Sequence, residues 1–321
     1  MNIILRVLLL ATAYCAFNTA QAQTYPSKPV RIIVAQAAGG GMDTLARLLA
    51  QEMTASLGQA VIVENKPGAA GIIGTNFVAK APADGHTLLM APIGNMVFTQ
   101  ILYNKLPYSP LRDFTPVSLV GNFPLLLVVN AKQPLMSVQE LVAYMRANPA
   151  KANYGGSGPA FQFATELFKI KTDTKAEFIQ YKSTNEAISA VVSGDLLLAL
   201  ADTGPATALL ADGRLRALAV TSPHRLSSLP NVPTMAEAGV PDMEIQYWAG
   251  IFAPTGTPAA IVKKLEAEIN RVVKLAEVRD RMAGIRVNPV GSTSEEFSKT
   301  LADDLVRWSA LAKAAHIKAE D

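Results

Sequence analysis

The sequence predicts an α/β fold with mainly parallel sheet, on three observations. Val30 to Ala35 reads as a buried strand, stops at Gly39-Gly40-Gly41, and gives way to Leu45, Leu48, Leu49 and Met53 at helical spacing. Short aliphatic runs then alternate with helical patterns along most of the chain. Helix-start signals punctuate that alternation, as in Ser137-x-x-Glu140.

In chain order, the first helix is expected over Thr44 to Leu57, then a strand at Ala60 to Glu64. A helix follows over Ile72 to Lys80, and a strand at Thr87 to Met90 after the Asp84-Gly85 turn. Phe114 to Val120 and Leu125 to Val129 read as two further strands. The Ser137 capping box opens a helix to about Arg146. Asn153-Tyr154 is a short strand before a helix over Phe161 to Ile170. Strands are expected at Glu177 to Gln180, Leu196 to Ala201 and Leu215 to Thr221, with helices between. The Pro-rich stretch Pro223 to Pro241 reads as a surface excursion. Thr257-Pro258 signals an N-cap with proline at the first helical position, for a helix to about Lys274. Thr293-x-x-Glu296 is another capping box, opening a last helix with Phe297, Leu301, Leu305 and Trp308 on one face.

The first 22 residues have the pattern of an export leader: Arg6, an apolar stretch from Val7 to Phe17, and the small-x-small site Ala20-Gln21-Ala22. The mature chain is expected to start at Gln23 and to act in the periplasm. Cys15, the one cysteine, lies inside the leader, which leaves no thiol or disulfide chemistry to the mature chain. The formal net charge of +3 is small and dispersed, so no nucleic-acid partner is expected. His86, His224 and His316 share no ligand spacing, so neither a metal nor a cofactor is expected.

Two glycine turns carry the chemistry. Gly39, Gly40 and Gly41 bare backbone N–H groups at the positive end of a helix, a geometry that holds an anion without a cationic side chain. The alternative is a tight turn with Asp43 as N-cap. The run lacks the dinucleotide-binding glycine spacing and the Gly-Lys-Ser/Thr of a P-loop. The second turn is Gly155-Gly156-Ser157-Gly158-Pro159, where Pro159 takes the last glycine position of a nucleophile elbow. Ser157 is therefore read as a hydrogen-bond donor to a ligand or as a plain loop serine. Tyr247 and Trp248 belong either to the core or to the aromatic wall of a cleft.

Taken in order, these residues resemble the Bug family, the TctC-like substrate-binding proteins of tripartite tricarboxylate transporters. The resemblance starts with Tyr25-Pro-Ser-Lys-Pro-Val-Arg-Ile-Ile-Val34 and the three glycines before Asp43. It continues through Val63-Glu-Asn-Lys-Pro-Gly-Ala-Ala-Gly71, Ala83-Asp-Gly-His-Thr-Leu-Leu89 and Asp113-Phe-Thr-Pro-Val117. Further on come Gly213-Arg-Leu-Arg-Ala-Leu-Ala-Val-Thr221, Leu229-Pro-Asn-Val-Pro-Thr-Met-Ala-Glu-Ala-Gly239 and Phe252-Ala-Pro-Thr-Gly-Thr-Pro258.

The resemblance implies a two-lobed flytrap, of the type II-like periplasmic-binding-protein class, with two strand crossings between lobes. One lobe would be residues 23–129 plus 250–321, the other 130–249. It also implies cleft loops that supply Gly39, Gly40, Gly41 and Asp43; Gly71 and Gly74; Gly94 and Asn95; Ser157, Gly158, Phe161 and Gln162; Tyr181 and Ser183; and Asp202 and Thr203. With Trp248, these are the expected ligand-binding residues. Where the family usually has two prolines before the glycines, this chain has Ala37-Ala38, and Ser183 stands for a usual glycine. Ala160, Phe161 and Gln162 occupy places where the family tends to have hydroxyls and a histidine, so a less charged or more apolar ligand is expected.

The implied function is capture of a small organic acid by a monomeric, non-enzymatic protein for the membrane components of such a transporter. A sensor delivering the ligand to a signalling kinase is one alternative, and a periplasmic enzyme on the same scaffold is another.

Overall fold

The computed structural model describes residues 25–156, 158–317 and 319. The leader expected over residues 1–22, with Cys15, and the candidate Ser157 lie outside the described residues.

The elements follow in chain order. β1 (Val30–Val34), α1 (Gly41–Leu57), β2 (Val61–Asn65), α2 (Ile72–Ala79) and β3 (Thr87–Pro92) build the first part. A π-turn at Gly94–Phe98 and a helical turn at Thr99–Leu102 lead towards β4 (Phe114–Asn130). Then come α3 (Val138–Ala147), β5 (Asn153–Gly156), α4 (Pro159–Thr172), β6 (Glu177–Gln180) and α5 (Thr184–Ser193). β7 (Leu198–Asp202), α6 (Thr203–Ala211) and β8 (Leu215–Val220) complete the middle. β9 (Gln246–Pro254), α7 (Ala259–Val272), α8 (Ala276–Gly284), β10 (Asn288–Pro289) and α9 (Ser294–Ala314) close the chain.

The strands join in the order β2-β1-β3-β9-β4-β7-β5-β6, with β8 and β10 also on β4. Parallel pairing between strands is confined to β1 with β2 and β3, and to β5 with β6 and β7, beside one isolated parallel bridge of Val220 with Thr234. Every pairing of β4 and β9 is antiparallel, so the sheet is mixed rather than mainly parallel. The two strands expected at Phe114 to Val120 and Leu125 to Val129 are one strand of 17 residues. Its first part pairs β9 up to Pro124; from Leu125 it pairs β7, and from Leu126 β8. Pro124 sits at that changeover, where the ladder is interrupted and a missing N–H costs little. β4 therefore belongs to both halves of a two-lobed molecule.

Three helix starts differ from expectation; α4, expected from Phe161, begins at Pro159. α1 begins at Gly41, because Thr44 N–H already reaches the Gly40 carbonyl at 2.9 Å and Gly40 is extended (φ −79°, ψ 170°). α7 begins at Ala259; the Thr257 hydroxyl donates to the Pro254 carbonyl at 2.8 Å instead of capping the helix. The Thr293–Glu296 capping box is complete. At Ser137 only half of it forms, because the Glu140 carboxylate accepts from Met136 N–H. The stretch Pro223 to Pro241 forms neither helix nor strand, yet it sends Met235, Ala238 and Val240 into the core.

One apolar core runs through both halves, from Ile33 and Phe98 to Phe163, Tyr247 and Trp308. A second packs α1 and α7 on the far face of the first half, and a third packs α5 and α6 on the other. No helix among the described residues is long and apolar enough to cross a membrane.

Candidate functional site

Loops at the carboxyl ends of β1, β3, β5 and β7 converge on a cleft between the two halves, where open α/β sheets place ligands. On the first side, β1 ends and the chain turns through exposed Gly39 and Gly40 into α1. Gly39 is left-handed (φ 82°). Its N–H donates to the Asp43 carboxylate at 2.9 Å, and Arg47 Nε donates to the same carboxylate at 3.0 Å. The Arg47 guanidinium and the Gly39 N–H hold the Asp43 carboxyl below its ordinary range, against the upward push of burial. Asp43 is thus not the N-cap: it sits in the first turn and ties the glycine loop to the helix.

Neighbouring loops are cross-braced. Gln36 Nε2 donates to Asn95 Oδ1 at 2.6 Å, and Asn95 Nδ2 donates to the Ala70 carbonyl at 2.9 Å. Asn95 is buried, and much of its amide is engaged by the protein itself. Gly71 (φ 89°) makes room for it, since a Cβ there would lie 1.9 Å from Asn95 Nδ2. Gly74 lets α2 approach the strand end, with the Lys66 carbonyl 2.6 Å from where a Cβ would sit. Both glycines are buried and serve packing.

On the second side, β5 turns through Gly158 into α4. Phe161 is half-buried and lines the cleft, while Phe163 points into the core. Gln162 is half-buried and is not among the cleft-lining residues. β7 ends at Asp202, and Thr203 opens α6. Burial pushes the Asp202 carboxyl up to about 6, against the pull of the Thr184 hydroxyl. Tyr181 and Ser183 lie apart from the cleft: Ser183 accepts Glu186 N–H and caps α5, and the Tyr181 ring covers Gly155.

The cleft has a volume of about 500 Å³, a size suited to a small molecule. Of the expected residues it brings together Gly41, Gly94, Phe161, Asp202, Thr203 and Trp248. A side cavity of about 210 Å³ shares Gly94, Ala160 and Phe161 with it and adds Asn95 and Gly158. Trp248 is both core and wall: it is buried, its Nε1 donates to Asp304 Oδ2 at 2.7 Å, and it borders the cleft.

The structure adds Met42, Phe123, Ile285 and Arg286 to the lining, and Tyr247, read as core or cleft wall, is buried and borders it. The Tyr247 hydroxyl donates to the Ala160 carbonyl, tying a crossing strand to the second-side loop. No motif marks Arg286 in the sequence, because only the turn after α8 carries it to the cleft. Among the described residues no group of three His, Cys, Asp or Glu could hold a metal ion. The cleft offers helix starts, apolar walls, one carboxyl and one guanidinium, which is equipment for binding.

A profile for "Tripartite tricarboxylate transporter family receptor" (TctC) matches residues 45–317. The chain is 35% identical to Protein BugT of Bordetella pertussis over 300 residues, covering 92% of each. A Rhodopseudomonas palustris protein, Rpa4515, solved with adipate, matches with a TM-score of 0.79 at 32% identity, over 92% of this chain and all of that one. MatC of the same organism, solved with bound malate, matches with a TM-score of 0.74 at 30% identity, over 89% and 99%.

Proposed function

The chain belongs to the TctC receptor family of periplasmic solute-binding proteins, and on that premise we propose that it captures a small organic carboxylate for a tripartite tricarboxylate-type membrane transporter. The observation that carries this reading is the cleft itself. The N-termini of α1 and α6 border it from opposite sides, neither with a side-chain cap. Uncapped helix starts offer N–H donors and partial positive charge to a carboxylate. Relatives of the same fold hold adipate and malate, which supports this ligand class.

In this account the leader exports the chain, which works as a periplasmic monomer without catalysis. The lobes, residues 23–129 plus 250–321 and residues 130–249, close on the acid by bending β4 and β9. The change of partners at Pro124 and Leu125 supports a pivot there. Backbone amides at Gly40, Gly41 and Gly158, with Thr203 and Phe161, form the binding surface.

A thermal-shift screen of the mature protein against mono- and dicarboxylates, amides and aromatic acids tests the reading. At a ligand concentration of about 100 times the dissociation constant, binding adds about 2.7 kcal/mol and raises the melting temperature by several degrees. No shift with any acid would overturn it.

A further inference from the structure

We propose that Arg286 is the specificity-determining residue of the cleft, a clamp for the second carboxylate of a dicarboxylate; this rests on the carboxylate reading above.

The backbone at Arg286 is built for a different residue. Arg286 N–H donates to the Ala283 carbonyl and Val287 N–H to the Met282 carbonyl, both at 2.9 Å, with Ile285 as the C-cap of α8. This is a Schellman closure, and its left-handed position normally takes glycine. Arg286 holds that position at φ 60°. Nothing in the turn needs a side chain there: Met282 and Val287 are buried and supply its apolar contact. An arginine kept in a backbone that favours glycine points to work for its side chain.

The side chain also stands in an electrostatically unfavourable place. A Cβ added to Gly204 would lie 3.5 Å from Arg286 Cγ, so the arginine stem crosses from the first half onto the first turn of α6. A cation beside a helix N-terminus is opposed by the helix dipole. The Arg286 side chain makes no hydrogen bond or ion pair among the described residues. Asp202 lines the same cleft and does not pair with it. A half-buried arginine whose side chain has no partner, with its stem against the first turn of a helix, is resolved by an anion lying between the two. Guanidinium and carboxylate match in a two-point geometry.

Arg286 lines the cleft but not Phe161's side cavity. It also borders an outer groove of about 470 Å³. One carboxylate at the start of α1 and a second at Arg286 and α6 would span the lobes, so the second carboxylate would hold them closed. The apolar residues Ala160 and Phe161 would then cover the alkyl stem, and Arg286 supplies the charge that their loop lacks.

Calorimetric titration with adipate and hexanoate, which differ by one carboxylate at equal chain length, tests the clamp in wild type, Arg286→Gly and Arg286→Asn. Wild type is expected to prefer adipate by about tenfold or more, the worth of one charge-assisted pair. Both variants are expected to bring that ratio near one while melting at or above the wild-type temperature, because each residue suits the left-handed turn. A ratio unchanged by either variant overturns the clamp. So does a wild type that binds neither acid although another carboxylate stabilises it, an outcome that leaves the proposed function standing. Wild type stabilised by no carboxylate overturns both.

Discussion

The rings of Phe98 and Phe163 stack with centroids 4.8 Å apart and planes at 29°, one ring from the first half of the molecule and one from α4 of the second. Trp308 of α9 meets both edge-on, at 5.3 and 6.0 Å. Loops that face a cleft are thus backed by one aromatic cluster shared between the halves. The halves are expected to unfold together, and scanning calorimetry of the mature chain should show a single transition. Phe163→Ala should cost about 3–5 kcal/mol and shift that whole transition downward. Two separated transitions, only one of them moved by the variant, would contradict a shared core.

Gly39 and Gly41 have different roles. Gly39 is left-handed, and Gly39→Ala is expected to cost about 1 kcal/mol of stability. Gly41 lines the cleft, lies in the helical start of α1, and leaves open space where a Cβ would sit. Gly41→Val should therefore keep the melting temperature within a few degrees and abolish ligand binding. Measuring both quantities on both variants separates loop strain from ligand contact, and a Gly41→Val protein with wild-type affinity would remove this loop from the site.

Asp202 should make stability depend on pH. Its folded carboxyl titrates at about 6, above an ordinary aspartate, so the folded chain holds this proton more tightly than the unfolded one. Between about pH 4 and 6 stability should then fall as pH rises, by on the order of 2 kcal/mol. Asp202→Asn cannot ionise and should lack that slope. Urea unfolding of both proteins at pH 4.5 and 7 decides it: equal slopes would contradict the raised carboxyl.

Much of the fold is legible in the sequence because local signals and tertiary structure agree. The strand–glycine–helix unit at Val30 to Leu57 is an example, and the Thr293–Glu296 capping box forms as written. Pairing direction is not local. Nothing between Phe114 and Asn130 announces that one strand serves both halves of the sheet, and Pro124 reads as a break until its place at the changeover is seen. In the site, loops that directly follow strands were readable, including Gly41, Phe161 and Asp202. Arg286 was not, because it comes from the end of a helix far along the chain and reaches the cleft only through the turn that follows α8.

Phe161 should set part of the ligand preference. Its ring borders both the cleft and the side cavity. Phe161→Ser removes apolar surface worth about 25 cal/mol per Å² to an alkyl or aromatic ligand and introduces a hydroxyl. Competition titrations should show affinity for adipate falling more than affinity for malate. Equal losses for the two acids would mean that the ring only shapes the loop.

The most direct measurement is isothermal titration of the mature chain, refolded after denaturation to strip any co-purified ligand, against the carboxylate panel. The account predicts saturable binding of at least one small carboxylate at one molecule per chain, lost in Gly41→Val while that variant stays folded. Heats indistinguishable from dilution across the whole panel, or the same affinity in Gly41→Val, would contradict it.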